Sequence, residues 1–195
     1  MELFLIRYGE TVWNAQKRLQ GRMDIELNEK GRIAARELSK NLKDVKFDRI
    51  YSSPLKRAFE TACILSENHN LSVIVDDRLK EISFGVMDGE FYSEWMKEDS
   101  PYRFFFTEPE KYFPPKEGES LEDLCSRTKA FIQNEIEPLA SSCERIMIVA
   151  HGALNASMIC YFEGNDKAHF WGDGLKGNCE VASYEFNGTL WKKTN

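Results

Sequence analysis

The strongest structural signal in this chain is the stretch from Ile146 to Gly152, which reads IMIVAHG. Its apolar part is continuous, which is typical of a central strand buried on both faces of a parallel sheet. His151 follows at once, so its side chain is expected at the carboxyl end of that strand. Ligands of open α/β sheets bind at this edge, and a histidine is rarely needed there for packing. The stretch therefore predicts both the fold class and the place of a site.

Shorter apolar runs predict further strands, and helical patterns separate most of them. Strands are expected at residues 3–6, 48–52, 73–75, 146–150, 181–186 and 190–192. The last two flank the dipeptide Asn187-Gly188, which is typical of a tight turn, so they are expected to form an edge hairpin. Strands that alternate with helices predict an α/β fold, with a mostly parallel central sheet in a three-layer α/β/α arrangement.

Capping residues indicate where the helices begin. Asn28 and Ser120 are expected to cap two of them, because short polar side chains accept hydrogen bonds from the first helical N–H groups. Ser53 followed by Pro54 marks a third start, since proline suits the first helical position. A fourth helix is expected after Gly152 and through residue 161.

Two features of side-chain patterning bear on packing. The helix after Asn28 is expected to bury an apolar face made of Ile33, Ala34, Leu38 and Leu42. Residues 86–117 differ in composition from the rest of the chain, because they are rich in aromatic residues and prolines. They predict an irregular, aromatic-rich excursion over one end of the domain. Its aromatic side chains are expected either to pack the excursion onto the body or to cover an organic group of a ligand.

Length and composition indicate a single domain over residues 1–195, with 42% hydrophobic and 30% charged residues. The net charge of -6 argues against a nucleic-acid partner, which would need a basic face. The N-terminus reaches Arg7 too soon for a signal peptide, and no apolar run is long enough to cross a membrane. We therefore expect a cytoplasmic protein with no membrane partner, either a monomer or a homodimer.

The five cysteines are widely spaced and include no CxxC pair. Neither a zinc site nor a redox motif is indicated, and buried thiols in a reducing compartment are expected instead. The sequence contains no cluster of ligand residues, so no metal and no cofactor are expected.

Charged side chains follow several of the predicted strands, at the edge where ligands bind. Arg7 comes after the first strand, Arg57 after the second, Glu81 after the third and His151 after the central one. Arginine forks match phosphate oxygens, and a carboxylate near the leaving oxygen can serve as a general acid. Taken one at a time, Arg57 and Glu81 are better interpreted as exposed charged residues than as parts of a binding site. The ordered set predicts a site for a phosphate monoester.

The motifs that hold these residues resemble those of the histidine phosphatase superfamily, in its phosphoglycerate-mutase-like branch. The matching segments are residues 7–11 (RYGET) with Trp13-Asn14, 18–21 (RLQG), 24–28 (DIELN), 51–58 (YSSPLKRA) with 60–62 (ETA), 79–81 (LKE) and 149–152 (VAHG). The resemblance implies that phosphate is bound by Arg7, Arg57, His151 and Gly152, that Glu81 donates a proton, and that Asn14, Gln20 and Gly21 line the pocket mouth.

One residue departs from this pattern, because the family's phosphorylated histidine is replaced by Tyr8. Imidazole has a reference pKa near ~6.5 and is largely a free base at neutral pH, whereas phenols titrate near ~10. A phosphorylated tyrosine also lacks the labile P–N bond of phosphohistidine. We expect the Tyr8 hydroxyl to lie near Arg7 and Arg57 and to fill part of the phosphate pocket, with very low activity as the result.

Three explanations for the tyrosine remain open. The chain is a natural degenerate member, or it carries a one-base change from histidine, or His151 acts as the nucleophile in place of residue 8. The third is the weakest, because His151 is expected to flank the phosphorus, out of line with the leaving group. The intact remainder of the site, including Glu81, favours a recent or introduced change.

Three functions are compatible with the sequence. A phosphatase scaffold for small phosphate monoesters is favoured, because the excursion is modest and the chain ends soon after Trp191, without the insertions and tail of the larger mutases. A non-catalytic binder of phosphorylated ligands is the first alternative. A phosphoglycerate mutase is the second. Each predicts a small phosphorylated metabolite or phosphate as the ligand.

Overall fold

The centre of the molecule is one six-stranded sheet. The structure is a computed structural model that describes residues 1–174 and 176–194. The strands are β1 (Glu2–Arg7), β2 (Arg49–Ser52), β3 (Val73–Val75), β4 (Arg145–Ala150), β5 (Val181–Phe186) and β6 (Trp191–Lys193).

The strand order is β3-β2-β4-β1-β5-β6. The first four strands of this order pair in parallel, whereas β5 runs antiparallel to both β1 and β6. The predicted α/β fold with a mostly parallel sheet is thereby confirmed. The central strand is β4, whose residues from Ile146 to Ala150 are inaccessible to solvent.

Helices cover both faces of the sheet. They are α1 (Val12–Ala15), α2 (Glu29–Leu42), α3 (Lys56–Ser66), α4 (Tyr92–Trp95), α5 (Phe104–Thr107), α6 (Leu121–Phe131) and α7 (Gly152–Glu163). A π-helical turn from Ile132 to Ile136 and a 3-10 turn from Glu137 to Ser141 continue α6.

Side-chain alternation along the strands divides the hydrophobic core between the two faces. In β4, Ile146 and Ile148 belong to the larger core, which packs beneath α6, α7 and the excursion. Met147 and Val149 belong to the smaller core beneath α2 and α3. The three-layer arrangement follows from this division.

Two local expectations were wrong in detail. Ile33 is 47% exposed, and the inward positions of α2 are Gly31, Ala35, Ser39 and Leu42. A Cβ at Gly31 would lie 2.2 Å from the Glu10 carbonyl oxygen, and Ser39 donates to the Ile64 carbonyl of α3, so close backbone approaches account for the small residues at these positions. The second difference is the start of α3, which has Leu55 as its N-cap. Ser53 lies two residues earlier and is free for another contact.

The excursion at residues 86–117 contains α4, α5 and several 3-10 turns. Trp95 and Phe105 are almost fully buried, and the ring of Phe84 lies 4.7 Å from that of Trp95. Packing onto the body therefore accounts for these side chains. In contrast, Phe113 is largely exposed, while Phe105 and Phe106 also line a cleft.

No helix in the described residues is long and apolar enough to cross a membrane. Within the same part of the chain, no group of three or more His, Cys, Asp or Glu side chains is arranged to hold a metal ion.

Candidate active site

A cleft of about 450 Å³ opens at the carboxyl ends of the parallel strands. It brings together eight of the nine residues that the sequence assigned to a site. These are Arg7, Tyr8, Asn14, Gln20, Gly21, Arg57, Glu81 and Gly152. The ninth, His151, lines an adjoining narrow pocket, and its ring centroid lies 5.3 Å from that of Tyr8.

Tyr8 lies at the centre of this arrangement and is only 3% exposed. Its backbone N–H donates to the carbonyl of Ala150, at the end of the neighbouring central strand. The hydroxyl accepts a 2.9 Å hydrogen bond from Gln20 Nε2 and a 3.4 Å hydrogen bond from Asn14 Nδ2. The phenol therefore points into the cleft, and amide groups hold its hydroxyl.

Two arginines flank the Tyr8 ring. The guanidinium carbon of Arg57 lies 4.9 Å from the ring centroid, and that of Arg7 lies 5.6 Å from it. Both contacts fall in the range of cation–π attraction. Neither guanidinium forms a hydrogen bond to the Tyr8 hydroxyl among the described contacts, so the hydroxyl depends on the two amides alone.

Arg57 is completely buried in the first turn of α3. Its Nη1 group donates to the Met23 carbonyl at 2.7 Å, and its Nη2 group donates to the Gly21 carbonyl at 2.8 Å. Its Nε atom has no partner within the described part of the protein. Asp88 acts on this guanidinium only through space, and no carboxylate of the described residues forms an ion pair with it. A buried guanidinium with donors to spare is well suited to an anion.

Arg7 shows the same pattern at the end of β1. Its Nη1 group donates to the Lys176 carbonyl at 2.6 Å, while its buried Nε atom has no partner in the described residues. None of the ion pairs found there involves Arg7 or Arg57. Two unneutralised positive charges thus converge on the space around Tyr8.

His151 is fully buried and neutral. Burial, followed by the positive charges of Arg57, Arg127 and Arg7, holds the pKa of its imidazole well below the usual range. Its Nε2 atom lies 2.8 Å from the Ser53 hydroxyl, which itself accepts from the Leu55 N–H. We infer that Ser53 donates its proton to Nε2. The imidazole proton then lies on Nδ1, which has no partner in the described residues and can donate to an oxyanion.

Glu81 is fixed by backbone N–H groups. Its carboxylate accepts from Leu154 at 3.1 Å and from Ala153 at 3.3 Å, both in the first turn of α7, and from its neighbour Ile82 at 3.0 Å. The carboxyl group therefore faces the cleft from the side of α7. The Glu81 carbonyl is held in turn by Arg127 and Arg22.

The amides that hold Tyr8 are themselves positioned by Thr11. The Thr11 hydroxyl lies 3.1 Å from both Asn14 Oδ1 and Gln20 Oε1. Thr11 is completely buried, and it also caps α1 in a reciprocal arrangement with Asn14. The amide oxygens are occupied on this side, so each amide nitrogen is directed toward Tyr8.

Gly21 occupies a position that requires glycine. Its φ is +48°, and a Cβ atom there would lie 1.7 Å from the Asp88 carboxylate. Asp88 is partly buried and accepts from the Phe84 and Arg22 N–H groups. Burial raises the pKa of the Asp88 carboxyl, although these hydrogen bonds oppose the change. The Gly21 carbonyl, which accepts from Arg57, is thus placed by a close approach of the Gly21 backbone to the Asp88 carboxylate.

Several supporting residues had no role in the sequence-based prediction. They are Thr11, Ser53, Asp88, Arg127 and Asn178, whose amide donates to the Tyr8 carbonyl. Ser53, Arg127 and Asn178 act through partners distant in the sequence. Thr11 and Asp88 instead contact residues within nine positions, and Asp88 also accepts from the distant Arg22. The RYGET and YSSPL segments contain Thr11 and Ser53, but nothing in the local pattern indicated their contacts.

This mostly parallel sheet gathers two guanidinium groups without ion-pair partners, a buried histidine and a positioned carboxyl at one edge, which is an arrangement suited to a phosphoryl group. Residues 3–194 match the histidine phosphatase superfamily (branch 1). The chain belongs to this superfamily.

Comparisons with individual proteins agree with this assignment. The chain is 36% identical over 185 residues to phosphoserine phosphatase 1 of Hydrogenobacter thermophilus, covering 94% of this chain and 84% of that protein. It superposes on YhfR of Bacillus stearothermophilus with a TM-score of 0.90 and 31% identity, covering 99% and 95% of the two chains. A phosphoserine phosphatase of Entamoeba histolytica, solved with 3-phosphoglyceric acid, gives a TM-score of 0.86 and 27% identity, covering 100% and 95%.

Proposed function

We propose that this chain is a phosphatase scaffold for small phosphate monoesters whose turnover is impaired because Tyr8 stands where the superfamily has its phosphorylated histidine. The observation that carries the proposal is the position of Tyr8 between the free guanidinium groups of Arg7 and Arg57, with Glu81 in the same cleft. Phosphoserine phosphatases among the relatives favour this substrate class.

Each neighbour of Tyr8 has a part in the proposed chemistry. Arg7, Arg57 and the Nδ1–H group of His151 bind the phosphoryl oxygens, and Gly152 allows close approach at the start of α7. With histidine at position 8, an imidazole nitrogen attacks phosphorus, the P–O bond to the leaving oxygen breaks, and Glu81 gives that oxygen its proton. Water then attacks phosphorus, the P–N bond breaks, and the proton of water passes to Glu81.

Tyrosine hinders both steps of this sequence. A phenol must lose its proton before it attacks, and the Tyr8 hydroxyl is instead an acceptor for Gln20 and Asn14. If Tyr8 were phosphorylated, water would remove the phosphoryl group more slowly than from phosphohistidine, because the P–O bond of an aryl phosphate is harder to cleave than a P–N bond. The ring itself occupies space between the arginines that a phosphoryl group needs.

A non-catalytic binder of phosphorylated ligands is the second candidate. The hydrogen bonds that tie the Tyr8 hydroxyl to Gln20 and Asn14 favour it, because they stabilise a resting state without a free nucleophile. Such a protein retains Arg7 and Arg57. It differs from the impaired phosphatase because Tyr8→His would not restore hydrolysis.

The test is hydrolysis of an aryl phosphate, without added metal, by the protein, by Tyr8→His and by Tyr8→His with Glu81→Gln. We expect a near-zero rate for the protein, a large increase for Tyr8→His, and a loss of most of that increase on removal of the Glu81 proton. Equal rates for the protein and Tyr8→His would refute the role of Tyr8. Tight phosphate binding with no hydrolysis by either form would support the binder instead.

A further inference from the structure

The segment that carries Glu81 has no regular secondary structure of its own. Residues 80–83 lie between two 3-10 turns, one ending at Leu79 and the other beginning at Gly85, and they belong to no helix or strand. A proton donor must lie within hydrogen-bond reach of the leaving oxygen, and small displacements of such a group are costly. Contacts from elsewhere in the molecule therefore have to hold the main chain at Glu81.

Arg127, in α6, holds this segment at two points. Its Nη1 group donates to the Arg78 carbonyl at 2.6 Å, and its Nη2 group donates to the Glu81 carbonyl at 3.2 Å. A guanidinium is planar and rigid, so it can fix two carbonyl groups relative to each other. A lysine ammonium carries the same charge but has no such fork. The contacts therefore depend on the shape of the arginine as well as on its charge.

Glu119 in turn fixes the guanidinium of Arg127. Arg127 Nε donates to Glu119 Oε1 at 2.6 Å, and Arg127 Nη2 donates to Glu119 Oε2 at 2.9 Å, so the ion pair is bidentate. Both side chains are largely buried, which limits the screening of their charges by solvent. The Glu119 N–H also donates to the Ser83 carbonyl at 2.8 Å. The pair thus holds the main chain on both sides of the Glu81 side chain.

Arg22 connects this pair to the phosphate site. Its Nη2 group donates to Glu119 Oε2 and its Nε atom donates to the Glu81 carbonyl, both at 3.2 Å. Arg22 is more exposed than Arg127, so we expect its contribution to be the smaller one. The preceding residue, Gly21, accepts from Arg57 through its carbonyl. The main chain at Glu81 is therefore tied to the loop that places Arg57.

We propose that Arg127 and Glu119 are positioning residues for the proton donor, which hold the Glu81 main chain so that its carboxyl reaches the leaving oxygen. This inference rests on the proposed function, in which Glu81 gives that oxygen its proton. Its consequence is a dependence on the leaving group. An alkoxide leaves phosphorus poorly without a proton, whereas p-nitrophenolate leaves readily. Only esters of the first kind therefore require an accurately placed Glu81.

The test uses Tyr8→His and compares glycerol 3-phosphate, an alkyl ester, with p-nitrophenyl phosphate. The quantity compared is kcat/KM, because it reports transfer from the ester to residue 8 and excludes the later attack of water. We expect Arg127→Met to lower kcat/KM roughly tenfold to a hundredfold for glycerol 3-phosphate, but less than about threefold for p-nitrophenyl phosphate. Arg127→Lys and Glu119→Gln, which disturb the packing less, are expected to give smaller losses with the same selectivity.

A double-mutant cycle separates positioning from general damage to the structure. If Arg127 acts through Glu81, Arg127→Met should cause little further loss for glycerol 3-phosphate once Glu81→Gln has removed the proton donor. Additive losses in this cycle would overturn the inference. So would equal losses for the two esters, or no loss in any of the three single variants. Each of these results would leave the phosphatase proposal standing.

Arg32→Met is the matched control. The Arg32 side chain also forms a bidentate ion pair, with Glu60 at 2.5 and 3.3 Å, but in the described residues it donates to no residue of the candidate site. We expect kcat/KM for both esters to remain unchanged. A selective loss for glycerol 3-phosphate in this variant would overturn the inference, since any broken ion pair would then have the same effect. If Tyr8→His hydrolyses neither ester, the inference fails together with the phosphatase proposal.

Discussion

Gln20 Nε2 donates a 2.9 Å hydrogen bond to the Tyr8 hydroxyl inside the cleft, where both side chains are buried. The contact fixes the phenol, whose ring is flanked by the guanidinium groups of Arg7 and Arg57. It also satisfies an amide donor that would otherwise be buried without a partner. Tyr8 is therefore integrated into the hydrogen-bond network of the site.

Removal of the Tyr8 hydroxyl alone should show how much this hydrogen-bond network contributes to the free energy of unfolding. Tyr8→Phe leaves the Gln20 amide without its partner, so we expect a loss of about 1 kcal/mol in the free energy of unfolding. Chemical denaturation measures it. Tyr112→Phe is the control, because the buried Tyr112 hydroxyl has no partner in the described residues, and its removal should be neutral or stabilising. A loss from Tyr112→Phe as large as that from Tyr8→Phe would contradict the assignment.

The affinity for inorganic phosphate should depend on the fork of Arg57. Lysine keeps the charge but cannot donate to the Gly21 and Met23 carbonyls while also binding two phosphate oxygens. We expect Arg57→Lys to weaken phosphate binding to the Tyr8→Ala form by at least tenfold, as measured by calorimetry. Arg36→Lys, at an exposed site, should leave it unchanged. Unaltered affinity in Arg57→Lys would remove Arg57 from the phosphate site.

Stability should fall in mild acid because of His151. In the unfolded chain a histidine binds a proton near pH ~6.5, whereas the depressed pKa keeps His151 neutral in the folded protein. Below pH ~6.5 the unfolded state binds the extra proton, so the free energy of unfolding falls as pH drops toward the folded pKa, by at most about 1.4 kcal/mol per pH unit.

Denaturation curves between pH 7.5 and about pH 5 test this slope. His151→Gln should reduce it, whatever its effect on absolute stability, because glutamine does not titrate; the slope that remains includes His69, whose pKa is also lowered by burial. His169→Gln should leave the slope in place, since the His169 side chain is largely exposed. An identical slope in the protein and in His151→Gln would contradict the expectation.

Gly21 should tolerate no side chain. Alanine there meets both a positive φ and the Asp88 carboxylate, so we expect Gly21→Ala to cost roughly 2 kcal/mol or more and to weaken phosphate binding through Arg57. Gly172→Ala is the matched control, because Gly172 has nearly the same φ, +47°, and the added Cβ would meet only Asn165 Nδ2 at an ordinary 3.8 Å. Thermal unfolding compares the two. Equal losses would show that backbone strain alone matters at Gly21.

The fold, and the sheet edge at which the candidate residues meet, could be predicted because both depend on local patterns. The apolar run at residues 146–150 indicated the central strand, and the charged residues after each strand indicated the edge where they meet. Contacts between distant segments could not be predicted in this way. No periodicity shows that the Glu81 carboxylate binds N–H groups of α7, or that Ser53 contacts His151 rather than capping a helix. Ile33 was misplaced for a related reason, since the inward face of α2 holds small residues where the Glu10 backbone and the Ile64 carbonyl approach it.

The start of α7 has a further consequence, because this one helix follows His151 directly and also holds the Glu81 carboxyl through its first N–H groups. The positions of His151 and of the Glu81 carboxyl consequently both depend on the start of α7. A substitution that tilts or shifts the helix would disturb both at once, so natural variation could scarcely adjust one property while preserving the other. Under the proposed function, a replacement of the side chain at position 8 lies outside that constraint, so it would remove the nucleophile and leave the contacts of α7 with Glu81 unchanged.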